Sequence, residues 1–487
     1  MNKFLKILKT ALKNKVILFI FSRYGTYLIH FINSLFIAVY LGPYYLGIWG
    51  FITLITSYLN HINFGVVHAV TAIISVHKSK EFYVEKIIGT SIIMLIVLSS
   101  LVVVFFISNE VFDINFGEKY NFTEYLPAVV LIGILAYFNN LLSSIFRVYG
   151  RLTEIAFHQS VFPVLIMCAI IFFKKSDLLW ALVGANFFAF LFAFILYIVK
   201  TPVNLKLVYV HKLFKQIQIK GLHLFVYNTS FFFIIISTRS FVSAYYSVEE
   251  FGYFTFAFSL ANVMLLLLQA FSYLITPKIL NRFASSSNIQ NAEMLEKLRD
   301  AYVTTSHLLI HFAILFFPLF LLLFPSYEIA SEAFKLIALA IVLYTNSFGY
   351  SGLLIAKGFE KKLGRAAFLA LIINVVVALV LIKLIQVPFT LVITSTMLSY
   401  FIYVFILGYM GRKMLKLDTS IKAVLNDIYP LRLFFPYLLS LCLVVFSASD
   451  SYFAVSLVFF IVLNFKVLLR LKSIFKSIIL NPNIINI

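Results

Sequence analysis

Two arginines sit where hydropathy leaves little room for charge, and gripping a phosphate is the chemistry most open to them. Arg23 lies seven residues into the first long apolar run, in Phe21-Ser22-Arg23-Tyr24. An arginine inside a membrane span costs about 2.5–3.5 kcal/mol on insertion scales, so it is expected to face a cavity or a partner rather than lipid. Its planar fork can hold a phosphate through two hydrogen bonds. The bland alternative is snorkelling, because seven residues of helix place it only ~10 Å deep. Arg239, in Ser237-Thr238-Arg239-Ser240, is the second such residue. For it, a structural arginine bonded to helix carbonyls is the equal alternative.

Histidines and asparagines follow at helical spacing. His30 is seven residues after Arg23, hence on the same side of a helix, and Asn33 is one turn further. His61 and His68 are also seven apart, and His307 and His311 are four apart. No third ligand accompanies any pair and none has the His-Glu-x-x-His form, so no metal or other cofactor is expected. Hydrogen bonding between helices is the default reading and proton coupling the alternative. Asn63 and Asn228 join Arg23, Arg239, His30, Asn33 and His61 as candidates to line a polar cavity. Asn374, in the predicted span 364–385, has the same default reading as Asn228. No aspartate or glutamate falls in the interior of an apolar run, Glu332 standing at the edge of one. An acid-free, arginine-bearing interior suits an anionic cargo better than a cationic one.

These side chains need elements to hold them. The chain has 487 residues, 62% hydrophobic and 12% charged, against roughly 25% charged in a soluble domain. Its apolar runs reach the ~20 residues that cross a hydrocarbon core of about 30 Å. Only helices satisfy their own backbone in lipid within one segment, so each run is expected to be a helix. Fourteen are predicted, near 16–41, 44–74, 87–107, 125–146, 155–173, 178–199, 222–247, 251–277, 305–324, 332–356, 364–385, 388–410, 430–448 and 452–469, with twelve or thirteen as the alternatives. The fold class is therefore an all-α polytopic membrane protein.

Charge orients it. With the N-terminus inside, the cytoplasmic segments carry 32 of the 39 Lys and Arg residues and the outer loops only five, Lys119, Lys174, Lys175, Lys335 and Lys383, the sorting expected of a protein of the cytoplasmic (inner) membrane. Both termini then lie in the cytoplasm. The formal net charge of +20 reads as orientation rather than nucleic-acid binding, since the basic residues form no face interleaved with aromatics. Lys3 to Lys15 and Val203 to Lys220 read as amphipathic helices on anionic headgroups. Leu280 to Thr304 is the longest linker. Cys168 and Cys442 lie in apolar runs and are expected to be packing residues.

Two short motifs recur. Gly42-Pro43-Tyr44-Tyr45-Leu46-Gly47-Ile48-Trp49-Gly50-Phe51 lies against Ser247-Val248-Glu249-Glu250-Phe251-Gly252-Tyr253-Phe254-Thr255-Phe256, with Gly47 and Gly252 offset by 205 residues. Arg147-Val148-Tyr149-Gly150-Arg151 lies against Ile355-Ala356-Lys357-Gly358-Phe359, offset by 208. Two matches at nearly one offset predict a six-plus-six duplication. That places an N-lobe at 1–200, a C-lobe at 201–425, and two additional helices with a tail at 426–487.

Tyr40 to Phe51, Asn63-Phe64-Gly65, and the basic exit Lys357-Gly358-Phe359-Glu360-Lys361-Lys362 resemble the polysaccharide-transporter family of bacterial O-antigen and capsule flippases, within the multidrug/oligosaccharidyl-lipid/polysaccharide exporter superfamily. The resemblance implies two six-helix lobes around a central cavity with alternating access. It also implies a polyprenyl-pyrophosphate-linked oligosaccharide as cargo, moved to the outer leaflet and gripped by a first-helix arginine near Arg23. The family's seventh-helix Asp-Arg pair matches Arg239, but Thr238 stands where the acid usually is. A polysaccharide polymerase and a chain-length regulator are the implied partners, and H⁺ or Na⁺ the implied coupling ion. Lipid II flippases and multidrug extruders are the alternatives within the superfamily. A polytopic glycan polymerase is disfavoured, because the longest outer loop, Ser108 to Glu124, has 17 residues and no nucleophile-base arrangement is present.

Overall fold

The computed structural model describes residues 15–112, 114 and 116–480, with the side chains at 15–23, 110, 175–176, 223–224, 264–265, 267–278, 281 and 472–480 outside the description. The amphipathic start and the Arg23 side chain thus lie outside the described residues.

The described chain is helical. Eleven of its helices are long and apolar enough to cross a membrane, or twelve if one pair bent by 74° forms a single span. The protein is a multi-pass helical membrane protein. Its helices are α1 Lys15–His61, α2 Val66–His77, α3 Glu81–Val111, α4 Leu126–Val148, α5 Leu152–Phe172, α6 Lys175–Val199, α7 His211–Tyr245, α8 Val248–Ser285, α9 Asn288–Leu321, α10 Ala330–Thr345, α11 Tyr350–Ala356, α12 Glu360–Val380, α13 Thr394–Met414, α14 Ile421–Ile428, α15 Leu431–Val445 and α16 Phe453–Leu480.

The apolar stretch Tyr24–His61 of α1 is 38 residues, ~57 Å at 1.5 Å per residue and too long for one crossing. Gly42, with φ 69°, and Pro43 break it, dividing the stretch where the first predicted span ends and the second begins. Proline supplies no N–H and crowds the carbonyl four residues back, so a regular helix cannot continue through it.

The chain forms two compact units, Met1–Thr229 with Tyr246–Thr255, and Ser230–Tyr245 with Phe256–Ile487. In unit 1, α1 packs on α4 and α5, and α6 on α4 and α5. The first turns of α8 are held in this unit by close approach. A Cβ at Gly252 would fall on the Pro43 carbonyl, and one at Gly47 on the Val248 carbonyl. Phe51 stacks on Tyr120 at 4.3 Å, and Tyr120 meets Phe251 edge-on at 5.9 Å. The two copies of the first motif therefore pack against each other, a small-residue helix contact of the kind lipid favours.

The second motif repeats as geometry. Gly150 and Gly358 have φ of 74° and 77°. Arg151 N–H donates to the Phe146 carbonyl and Phe359 N–H to the Leu354 carbonyl, both at 2.9 Å. Each glycine ends a helix in the same left-handed cap.

In unit 2, α10 is buried on nearly every side, from Ala330 to Thr345. α9, α13 and α15 pack on it, and α15 and α16 pair with each other. Asn374 Nδ2 donates to the Ile234 carbonyl at 2.7 Å and to Ser237 Oγ at 2.8 Å, while Thr238 and Thr396 hydroxyls lie 2.6 Å apart. That knot joins α7, α12 and α13 by hydrogen bonds alone.

Several expectations are corrected. The predicted second span is not continuous: it stops at His61 and restarts at Val66, with Phe64 and Gly65 at positive φ. His61 and His68 consequently do not share one helix face. Val203 to Lys220 is not one helix. Its first half lies along α3, where Thr90 Oγ1 donates to the Val208 carbonyl at 3.0 Å and accepts from Val210 N–H at 3.3 Å. Leu280 to Thr304 is not a linker but the ends of α8 and α9, which extend past their apolar stretches. Lys335, read as an outer-loop residue, is buried on α10 and paired with Asp450 at 2.5 Å. Cys168 and Cys442 are exposed rather than packed.

At the start of α9, Ser287 and Gln290 form a capping box. Ser287→Ala is expected to lower stability by about 1 kcal/mol. A thermal melt of the purified protein, with Ser286→Ala as control, reads this difference.

Candidate functional site

Unit 1 encloses a cavity of about 390 Å³ between both halves of α1 and helices α5 and α6, within the ~300–1,000 Å³ typical of ligand sites. The first half of α1 contributes Thr26, Tyr27 and His30; the second half contributes Thr53, Thr56, Ser57 and Asn60. His158, Gln159 and Phe162 come from α5, and Asn186, Ala189 and Phe190 from α6. No charged residue is among these lining residues.

The hydroxyl groups are set by helix geometry. Thr53, Thr56 and Ser57 donate to the carbonyls of Gly50, Ile52 and Thr53 at 2.9, 2.8 and 2.7 Å. A hydroxyl that gives its single proton to the preceding turn keeps lone pairs as acceptors. On the facing side, Thr26 Oγ1 lies 3.1 Å from Ser160 Oγ, tying α1 to α5. His158 Nδ1 is 3.1 Å from the Tyr197 hydroxyl. His30 leans on the Phe162 ring at 5.2 Å.

Pro163 lies inside α5. It has no N–H for the Gln159 carbonyl, so that backbone oxygen loses its helical partner beside the cavity. Asn139 of α4 donates from Nδ2 to the Phe190 carbonyl at 2.8 Å and fixes that part of α6.

Asn186 is the most informative member. It is 6% exposed, and its Oδ1 has no hydrogen-bond partner. A buried acceptor left unmade costs about 1–3 kcal/mol, a penalty a bound donor removes. Aromatic faces at Tyr27, Phe162 and Phe190, with neutral donors and acceptors between them, can cradle a polyhydroxylated ligand. The lining offers no carboxylate to hold a cation.

Of the residues predicted from sequence, His30 lines this cavity. Asn33 is buried behind it, donating from Nδ2 to the Pro163 carbonyl at 2.7 Å. His61 is exposed, with Nδ1 2.9 Å from the Ser57 carbonyl. Asn63 Oδ1 accepts from Gly65 N–H at 3.1 Å, serving the turn before α2. Asn228 is half-buried on α7 and does not line the cavity. Arg239 is buried in unit 2, its guanidinium 4.7 Å from the Phe258 ring centroid. Within unit 1, His30 alone of the described candidates lines the cavity. Thr53, Thr56, Ser57 and Asn60 went unremarked in the sequence, although their i, i+3, i+4, i+7 spacing marks a polar stripe inside an apolar span.

No family model and no curated protein matches the chain. Solved structures do. One described as the lipid II flippase MurJ, inward closed, matches over 94% of this chain and 98% of its own, with a TM-score of 0.68 and 14% identity. The chain has a MurJ-like and MATE-like fold. An inward-facing multidrug resistance MATE family transporter of the MOP superfamily matches over 83% of this chain and 95% of its own at TM-score 0.61 and 14% identity. An outward-facing one matches over 83% and 94% at 0.58 and 15%. At these identities the likeness is one of fold, and within this fold the residues of the unit 1 cavity carry the functional argument.

Proposed function

We propose that the protein is a flippase that carries a polyprenyl-pyrophosphate-linked oligosaccharide from the cytoplasmic to the outer leaflet of the bacterial inner membrane, for surface glycan assembly. The neutral polar cavity of unit 1, with the unpartnered Asn186 oxygen in its wall, is the observation that carries this reading. Hydroxyls of an uncharged sugar would meet acceptors on α1 and amides on α5 and α6. Left in bare hydrocarbon, each such polar group would cost several kcal/mol. Arg23 stands four residues before Tyr27 and seven before His30 on the same helix, a spacing suited to a pyrophosphate beside the sugar. The polyprenyl tail can remain in lipid throughout.

The lining favours this cargo over a cationic drug, which would call for a buried carboxylate. Lipid II remains the second reading, favoured by the extent of the MurJ likeness. The test uses purified protein in vesicles bearing a lipid-linked oligosaccharide on one leaflet, with a membrane-impermeant glycosidase reporting the leaflet. Oligosaccharide should cross in minutes with the protein and not without it. Movement of lipid II alone would select the second reading, and extrusion of a cationic dye without glycan movement would refute both.

A further inference from the structure

Helix α9 carries a line of polar side chains through the interior of unit 2. At one end Arg432 Nη2 donates to Asp300 at 2.5 Å, and both residues border a cavity of about 610 Å³. Deeper in, Arg432 Nη1 reaches Asn464 Oδ1 at 2.8 Å and the buried Thr304 hydroxyl at 3.3 Å. His307 comes next, 2% exposed, with Nε2 3.2 Å from Asn346 Oδ1 and no partner at Nδ1. One turn further, the His311 ring lies 6.4 Å from that of His307. Its Nδ1 sits 3.3 Å from Ser440 Oγ and 3.4 Å from Ser456 Oγ, which are 2.6 Å apart.

Beyond His311 the line turns apolar. Ile314 and Phe317 are buried, and Phe317 stacks on Phe334 at 3.7 Å. Pro318 then borders a second cavity, about 620 Å³, that holds the Lys335–Asp450 pair. Two cavities are thus joined by a polar line interrupted by an apolar plug of two side chains.

Fastening α15 and α16 to α9 does not require histidine. Serine and asparagine form such bonds without an ionisation to suppress, and Ser440, Ser456 and Asn464 already do so here. An ionisable side chain sealed in a membrane bundle is expensive and marks ion and proton paths. Imidazole is the side chain whose charge changes in the neutral range, and it can take a proton on one nitrogen and release one from the other.

We infer that His307 and His311 are a proton-carrying pair, reached from the Asp300 end, through which unit 2 couples proton movement to transport. The inference rests on the transporter reading above. The step is proton exchange alone: an N–H bond forms at His307 Nδ1 as an O–H bond of a hydronium from the Asp300 cavity breaks and leaves water, the His307 imidazolium gives its proton to His311, and His311 gives it up to water on the far side. The groups around the pair set its character. Arg299, Asp300 and Tyr302 flank it on α9, Asn346 follows the end of α10, Arg432 and Tyr437 come from α15, and Ser456, Phe460 and Asn464 from α16.

The test loads vesicles containing the full chain with a pH-indicating dye and applies an acid step outside, across the ordinary histidine range near pH ~6.5. Wild type should acidify the lumen. The double variant His307→Asn, His311→Asn should slow this by roughly tenfold or more, and Phe317→Asn, which wets the plug, should speed it by about as much. His211→Asn, at the exposed start of α7, should change nothing. An unchanged rate in the folded double variant, or a wild type that admits no protons, overturns the inference. Should the double variant fail to fold, the absence of faster acidification in Phe317→Asn overturns it equally. Vesicles that conduct protons yet move no lipid-linked oligosaccharide would instead refute the cargo proposed above and leave the pair standing.

Discussion

Replacing Asn186 by leucine should yield a folded protein that has lost most of its transport. The two effects separate because of what Asn186 does at rest. Its Oδ1 is buried without a partner, so the resting fold already bears that penalty and leucine relieves it. The melting temperature should therefore hold or rise. A cargo hydroxyl facing leucine would be desolvated and unpaired, at about 1–3 kcal/mol, or roughly 5- to 150-fold in rate. Leaflet transfer in vesicles and a thermal melt on the same preparation measure both sides. Asn186→Asp keeps the acceptor but adds charge, so it should bind hydroxyls yet be destabilised by burial of a carboxylate. If Asn186→Leu transported at the wild-type rate, the unit 1 cavity would not be the place where cargo is held.

Gly252→Ala should be severely damaging for a single added methyl. An added Cβ would meet the Pro43 carbonyl and the Gly47 nitrogen, backbone atoms with no rotamer to escape into. Ordinary overpacking costs about 1–3 kcal/mol, and a collision with backbone should exceed that, a large part of the ~5–15 kcal/mol that holds a domain folded. The comparison is Gly184→Ala on α6, where nothing lies within 4 Å. There the same methyl should be neutral or stabilising by about 0.5–1 kcal/mol. Purified yield and melting temperature in detergent should fall sharply for the first and not for the second. Equal melts would mean that α1 and α8 do not approach closely in the folded protein.

The membrane-spanning helices were legible because lipid imposes a rule each segment meets on its own. A run of about 20 apolar residues must be helical wherever it sits. The break at Gly42-Pro43 was readable for the same reason, since proline acts on its own turn. Tyr40 to Phe51 was readable as a motif, though its role was not: only the structure brings Gly47 and Gly252, 205 residues apart, into contact. Lys335 shows the limit from the other side. Its charge suggested a loop, and Asp450, 115 residues away, is what allows it inside.

The site divides likewise. His30 could be marked from spacing alone, because helix periodicity fixes which residues share a face. That His30 lines one cavity with Asn186, while Asn33 turns instead to the Pro163 carbonyl, depends on how α1, α5 and α6 pack. Sequence by itself determined the helices, their apolar lengths and the polar stripes upon them, since those follow from backbone satisfaction and local periodicity. Tertiary structure decided which stripes meet, leaving the Asn186 oxygen unpaired in the wall of the unit 1 cavity and two histidines sealed in unit 2. Such contacts depend on side chains far apart in the chain, whose pairing no local rule encodes.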